Sequence, residues 1–186
     1  SRGIAVDNEG NAVITGDFGK TIYFGESQDI SLVSYGKRDI FIAKIDNTGR
    51  FLWARHAGGG HIDFGLGISV DSSDNVYITG EYTLTAYFGD SGHLNTTVLH
   101  PMPDSPFPDG SYVAKLDTNG NFYWAKRLGG YVCTSYHIAV DNDGNAYIAG
   151  LFGGTVYFGE PDDPDTPQLY VPPHFDTTLF VACLDS

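Results

Sequence analysis

The sequence predicts an all-β protein built from repeated four-stranded antiparallel units, and three observations predict it. One segment recurs three times along the chain, the apolar residues inside it alternate with period two, and no stretch carries the 3.6-residue periodicity of a helix. The recurrence is read directly. GIAVDNEGNAVITGDF begins at Gly3, GISVDSSDNVYITGEY at Gly67 and HIAVDNDGNAYIAGLF at His137. Each is followed by a short aromatic element, TIYFGE from Thr21, TAYFGD from Thr85 and TVYFGE from Thr155. After a variable insert comes a second constant half: DIFIAKIDNTGRFLWARHAGG from Asp39, GSYVAKLDTNGNFYWAKRLGG from Gly110 and TLFVACLDS from Thr178. Asp7, Asp71 and Asp141 stand 64 and 70 residues apart.

Within a unit, four strands follow from the punctuation. Residues 3 to 7 (strand A) and 11 to 17 (strand B) are β-rich runs flanking Asp-Asn-Glu-Gly-Asn. Residues 39 to 46 (strand C) and 51 to 57 (strand D) flank Asp-Asn-Thr-Gly. Gly supplies the positive φ of a tight hairpin and Asp caps the turn with its side chain. In the second copy Asp74 replaces the first of these glycines, a residue the left-handed region tolerates. Asp7, Asp46, Asp71, Asp117 and Asp141 therefore read as turn caps, because a group repeated in every unit answers a structural need. Trp53 and Trp124 each lie seven residues after the Asp that ends strand C, and read as packing between neighbouring units. Antiparallel four-stranded units with an aromatic fixed on the last strand describe β-propeller blades better than a sandwich. The expected division is residues 1–58, 59–129 and 130–186, three blades of one propeller segment, the last without its outer strand. Three blades do not close a ring, so closure is expected either from further blades of a longer chain or from self-association.

With these motifs in hand, the pattern GIAVDxxGNxYITG, TxYFG, DxFIAKIDxxGxxxWAxxxGG resembles the SBBP repeat, the β-propeller repeat of bacterial and archaeal surface and secreted proteins. The resemblance implies a propeller fold and an extracellular or cell-surface location, and transfers no catalytic motif. The chain departs from the pattern where Cys183 stands for Lys44 and Lys115, and where Cys133 stands for Asp63.

Composition narrows the partners. Ten Lys and Arg against 23 Asp and Glu give a net charge of −13, which opposes nucleic-acid and anionic-membrane binding. No apolar run reaches the length of a membrane helix. The two cysteines leave both a bridge and two separate thiols open. Six scattered histidines show no ligand spacing and no nucleophile or phosphate-loop motif occurs, so no catalytic residue, metal or cofactor is expected. Asp141-Asn142-Asp143-Gly144-Asn145 has the alternating oxygens of a calcium loop but no later Glu at the right distance, and reads as a turn.

Function is expected on the variable B–C inserts, residues 18–38, 83–109 and 153–177, which hold all nine prolines between the second and third. Tyr35, His100, Phe107, Tyr170, His174 and Phe175 on the inserts, with His93, and Tyr131 and Tyr136 on the D–A link, form the candidate binding face. Asn95-Thr96-Thr97 is a glycosylation sequon. The expected role is a surface scaffold or interaction module, for adhesion or assembly with protein or glycan. A lectin-like sugar-binding propeller and a purely structural repeat of a surface layer or fibre stand as alternatives.

Overall fold

The computed structural model describes residues 1–89, 96–101, 109–159, 163–172 and 177–185. Among them there is no helix. In the first repeat, strands β1 (Gly3–Val6), β2 (Ala12–Phe18), β5 (Asp39–Ile45) and β6 (Phe51–Gly58) form an antiparallel meander in that order. The second repeat repeats it with β7 (Phe64–Val70), β8 (Val76–Thr83), β11 (Asp109–Leu116) and the first half of β12 (Phe122–Val140). The third uses the second half of β12, β13 (Ala146–Tyr157) and β15 (Thr178–Leu184), with β15 paired to β13. The chain is thus all-β, with the four-stranded meander complete in the first two repeats and three of its strands in the third, and in the first repeat strands A to D fall within a residue or two of the sequence reading.

Two features differ from that reading. The inserts are not plain loops: the TxYFG elements are strands. β3 (Thr21–Phe24) pairs with β4 (Ile30–Val33), β9 (Ala86–Phe88) with β10 (Thr97–Leu99), and the end of β13 with β14 (Gln168–Tyr170). Alternation is the cause, since the Phe of each element turns inward while the Tyr beside it turns out. β9 also adds to the end of β6, joining the second insert to the first repeat, and Val156 and Tyr157 of β13 do the same against Gly130 and Gly129. Moreover, the link carrying Tyr131 and Tyr136 is not a loop. β12 runs unbroken through it, with register shifts between Gly130 and Val132 and between Ser135 and His137. Bulges of this kind let one strand bend from one sheet into the next without leaving it.

The core lies between repeats. One buried cluster joins Val13, Ile40, Ile42, Trp53 and Ala57 of the first to Ile78, Tyr82, Phe88, Tyr112 and Leu116 of the second. Another joins Tyr77, Val113 and Leu128 of the second to Ile138, Ile148, Phe152 and Phe180 of the third. A third, around Phe18, Phe24 and Phe41, is closed by the β3–β4 hairpin over the opposite face of the first repeat. Trp53 marks the first junction. The residue is 8% exposed, its Nε1 donates to the Thr118 carbonyl at 3.1 Å, and the neighbouring Arg55 donates to the Asn119 carbonyl. Trp124 holds the matching place on the second repeat, edge-on to Tyr77 at 6.2 Å, and is only half-buried.

Truncating a fully buried indole costs about 3–5 kcal/mol. Trp53→Ala is therefore expected to lower the unfolding free energy by that amount, and Trp124→Ala by clearly less. Denaturant titration of both variants checks the ranking.

Candidate functional site

The two ends of the strands differ in kind. At the A–B and C–D turns every repeat uses the same chemistry. Asp7 Oδ1 accepts from the amides of Glu9 and Asn11, and its Oδ2 accepts from the Asn11 side chain and from Lys44 Nζ at 2.7 Å. Asp71 repeats the set with Ser73, Asn75 and, at 3.8 Å, Lys115. Asp141 repeats it with Asp143 and Asn145, and Tyr147 Oη completes it at 3.3 Å in place of a lysine. Asp46 and Asp117 close the C–D turns in the same manner. Burial opposes ionisation of Asp7, but hydrogen bonds from Lys44 and Asn11 outweigh it and hold the carboxyl below its ordinary value. Every carboxylate oxygen described here is occupied by a turn, which leaves these acids little capacity for an outside ligand.

At the insert end the chemistry is not repeated. The last residues of the first insert run beside the link from β6 to β7: Lys37 and Arg38 donate to the His61 carbonyl, and the Asp63 amide donates to the Arg38 carbonyl. Two fully buried carboxylates meet there. Asp39 accepts from the Ser34 hydroxyl at 3.1 Å and the Tyr35 amide at 2.8 Å. Asp63 accepts from the Gly59 amide at 2.8 Å and the Thr83 amide at 3.0 Å. Both pack on Gly58, whose φ of 141° and lack of a side chain admit them: a Cβ there would lie 2.8 Å from Asp63 Oδ2 and 3.0 Å from Asp39 Cγ. Burial pushes the Asp63 carboxyl up to about 6, against the pull of the two amides, and Asp39 adds to the rise. Burial also raises Asp39, opposed by its Tyr35 and Ser34 bonds and by His56. The His56 ring lies 4.5 Å from Tyr35 and 6.4 Å from Phe18. Outside this pair, Asp17 bonds Arg2 at 2.7 Å and also Arg38.

Of the residues singled out from sequence, Tyr35 caps this cluster with a half-exposed ring, beside His56. His100 is exposed on the second repeat, its carbonyl accepting from Tyr82 Oη and Arg127 Nη1. Tyr170 stands on β14, 66% exposed, and Tyr136 on β12 is exposed as well. These four stand on separate elements: Tyr35 follows β4, His100 follows β10, Tyr170 ends β14 and Tyr136 lies within β12. His93, Asn95, Phe107, His174 and Phe175 lie outside the described residues, as does the Tyr131 side chain. Sequence reasoning passed over the Asp39–Asp63 pair. The available signal was its singularity: Gly110 and Thr178 occupy the place of Asp39 in the other repeats, and Cys133 that of Asp63. Among the described residues no group of three or more His, Cys, Asp or Glu is placed to hold a metal ion. Cys133 and Cys183 are free thiols on β12 and β15, with β13 between them.

The β-propeller repeat SBBP matches residues 52–81 and 124–151. Each match runs from strand D of one repeat through strands A and B of the next, across the junction that the tryptophan marks. An uncharacterized WD repeat-containing protein of Acanthamoeba polyphaga mimivirus is 30% identical over 157 residues, covering 82% of this chain and 11% of that protein. The chain thus spans about a ninth of the length of that relative.

Two measurements test the chemistry of the site. A carboxyl raised from an ordinary 3.8 to about 6 is stabilising in its protonated form, so its contribution is full below pH 4 and is lost as pH rises through 6. The loss amounts to about 3 kcal/mol. In Asp63→Asn, neutral throughout, the difference in unfolding free energy between pH 4 and pH 7 should change by that amount relative to the native chain. Burial also pushes the Cys133 thiol up to about 12, whereas Cys183 is exposed. Thiol labelling near pH 8 should modify Cys183 well before Cys133, as peptide mapping of the labelled chain would show.

Proposed function

We propose that this chain, which carries the β-propeller repeat at two places, is a scaffold for contacts with other proteins and uses its variable insert hairpins to make them. The observation that carries the reading is the contrast between the ends of the strands. The turn end repeats one closed set of hydrogen bonds, while the insert hairpins differ in every copy and expose apolar and aromatic side chains. Tyr23 and Val33 of β3 and β4, Tyr35 beyond them, and Leu169 and Tyr170 of β14 all face solvent. Tyrosines of this kind offer large contact area at low entropy cost, and aromatics are enriched in protein interfaces. The WD-repeat description of the viral relative supports an interaction role.

On this reading each repeat is a propeller blade, with two blades of four strands followed by a third contributing three, and the chain acts by binding rather than catalysis. The resemblance to surface and secreted repeat proteins, with a net charge of −13, supports work outside the cell or at its surface, in adhesion or assembly. A photo-crosslinking residue at position 23 or 169, introduced into the chain in its native source, is the test. The expected result is a discrete set of protein adducts that disappears in a Tyr35→Ser, Tyr170→Ser double variant of unchanged thermal stability. Adducts that persist in that variant, or adducts only with glycan, would turn the reading toward a different face or toward a lectin. Surface proteolysis of intact cells tests the location: rapid loss of the chain agrees, and full protection does not.

A further inference from the structure

The junction between the first two repeats supplies a template for a surface that the first repeat leaves open. At that junction the Trp53 ring lies against the C–D turn of the second repeat. A Cβ on Gly120 would come within 2.9 Å of Trp53, and the Thr118 carbonyl accepts a hydrogen bond from the indole N–H. The wall of this seat is aromatic, with Phe88 in the same buried cluster and Phe122 packed against it, their rings 5.8 Å apart.

The first repeat has the same parts in the same order. Gly49 corresponds to Gly120, Asn47 to Thr118, Phe24 to Phe88 and Phe51 to Phe122. Phe24 and Phe51 stand 5.2 Å apart, Gly49 has a φ of 88° against 82° for Gly120, and a Cβ on Gly49 would meet nothing within 4 Å. Beside them opens a cleft of about 540 Å³ lined by Phe24, Ile30, Gly49 and Phe51 together with Glu26, Asp29 and Arg50. The neighbouring strand is open too. Ile4 and Val6 of β1 are 68% and 64% exposed, whereas their counterparts Ile68 and Val70 pack on the core between repeats.

We propose that this cleft is a tryptophan socket, and that its occupant is the outer-strand tryptophan of a further repeat of the same kind, standing ahead of the first repeat in the same polypeptide. Continuity with the existing junction selects this occupant. The socket presents a seat that the chain itself shows filled, and a preceding repeat would also cover Ile4 and Val6 as the first repeat covers Ile68 and Val70. A second copy of the chain is a poorer source, because Trp53 is already seated on the second repeat and Trp124 already packs on the cluster shared with the third.

Asparagine tolerates the left-handed backbone, as Asp74 does here at a φ of 62°. Gly120→Asn should lower the melting midpoint of the 186-residue chain sharply, whereas Gly49→Asn should leave it nearly unchanged. A copy of residues 51–64 is then joined ahead of Ser1, which sets its tryptophan in the register of the existing junction. The extended chain should melt at least about 5 °C higher, a shift on the scale of one or two good contacts in a domain this size. The gain should vanish when Trp53→Ala is made in the added copy alone, or when Gly49→Asn is introduced. A peptide of residues 51–64, added to the original chain, should shift the ring resonances of Phe24 and Phe51, and not those of the Gly49→Asn variant. An extension without gain, a gain that survives Gly49→Asn, or a dimer of the unextended chain that Gly49→Asn dissolves would each overturn the proposal.

Discussion

Sheets that are apolar on both faces govern this molecule. Strand C alone shows it: in the first repeat Ile40 and Ile42 enter the cluster shared with the second, while Phe41 and Ala43 enter the cluster under the β3–β4 hairpin. Such a strand cannot present one face to water as an ordinary half-buried antiparallel strand does. Each repeat is therefore stable only when something covers both sides, and the neighbouring repeat is the natural cover. A protein built this way gains its core from stacking, with each repeat touching mainly the next. The junction tryptophan adds direction to the stacking, since its indole N–H and the glycine of the turn it meets fit in one register.

The polar turns add a second constraint. A buried Lys44–Asp7 pair carries a desolvation cost, which its hydrogen bonds to the turn and to Asn11 offset. Lys44 Nζ also reaches Thr118 Oγ1 of the next repeat, so the same ammonium that closes one turn touches the neighbour. The A–B turns are tied to each other as well: Asn8 bonds Ser72 and Asp74, and the Ser72 hydroxyl bonds the Asn142 carbonyl. In the third repeat Cys183 stands where the lysine was and is exposed, and Tyr147 supplies the hydroxyl to Asp141 instead. The turn survives the exchange because the cap depends on Asn145 and two amides more than on the cation.

Where the repeat pattern lapses, the surface becomes individual. Asp39 and Asp63 occupy positions that carry no acid in the other repeats, and each is held by two donors from backbone and hydroxyl groups around Gly58. They tie the first insert to the following link, fixing the base from which Tyr35 projects. The proposed contact face is thus supported on a rigid base while its exposed residues change from one repeat to the next.

Strand order, hairpin turns, the capping aspartates and the tryptophan at a fixed place were legible in the sequence, because each is set by local chemistry that recurs: period-two alternation, a glycine or Asp at a positive φ, an Asp four residues before the amide it caps. Tertiary structure decided what neighbours supply. It made strands of the TxYFG elements, since β9 gains partners only from β10 and from the end of β6. It turned the link at residues 130–136 into part of β12, where pairing with β13 outweighs the glycines. It also buried Asp39 beside Asp63, residues 24 positions apart whose meeting depends on the fold of an insert and a link, and no local pattern encodes that meeting. Repetition writes the architecture into the sequence; the departures from repetition acquire meaning only once distant segments are brought together.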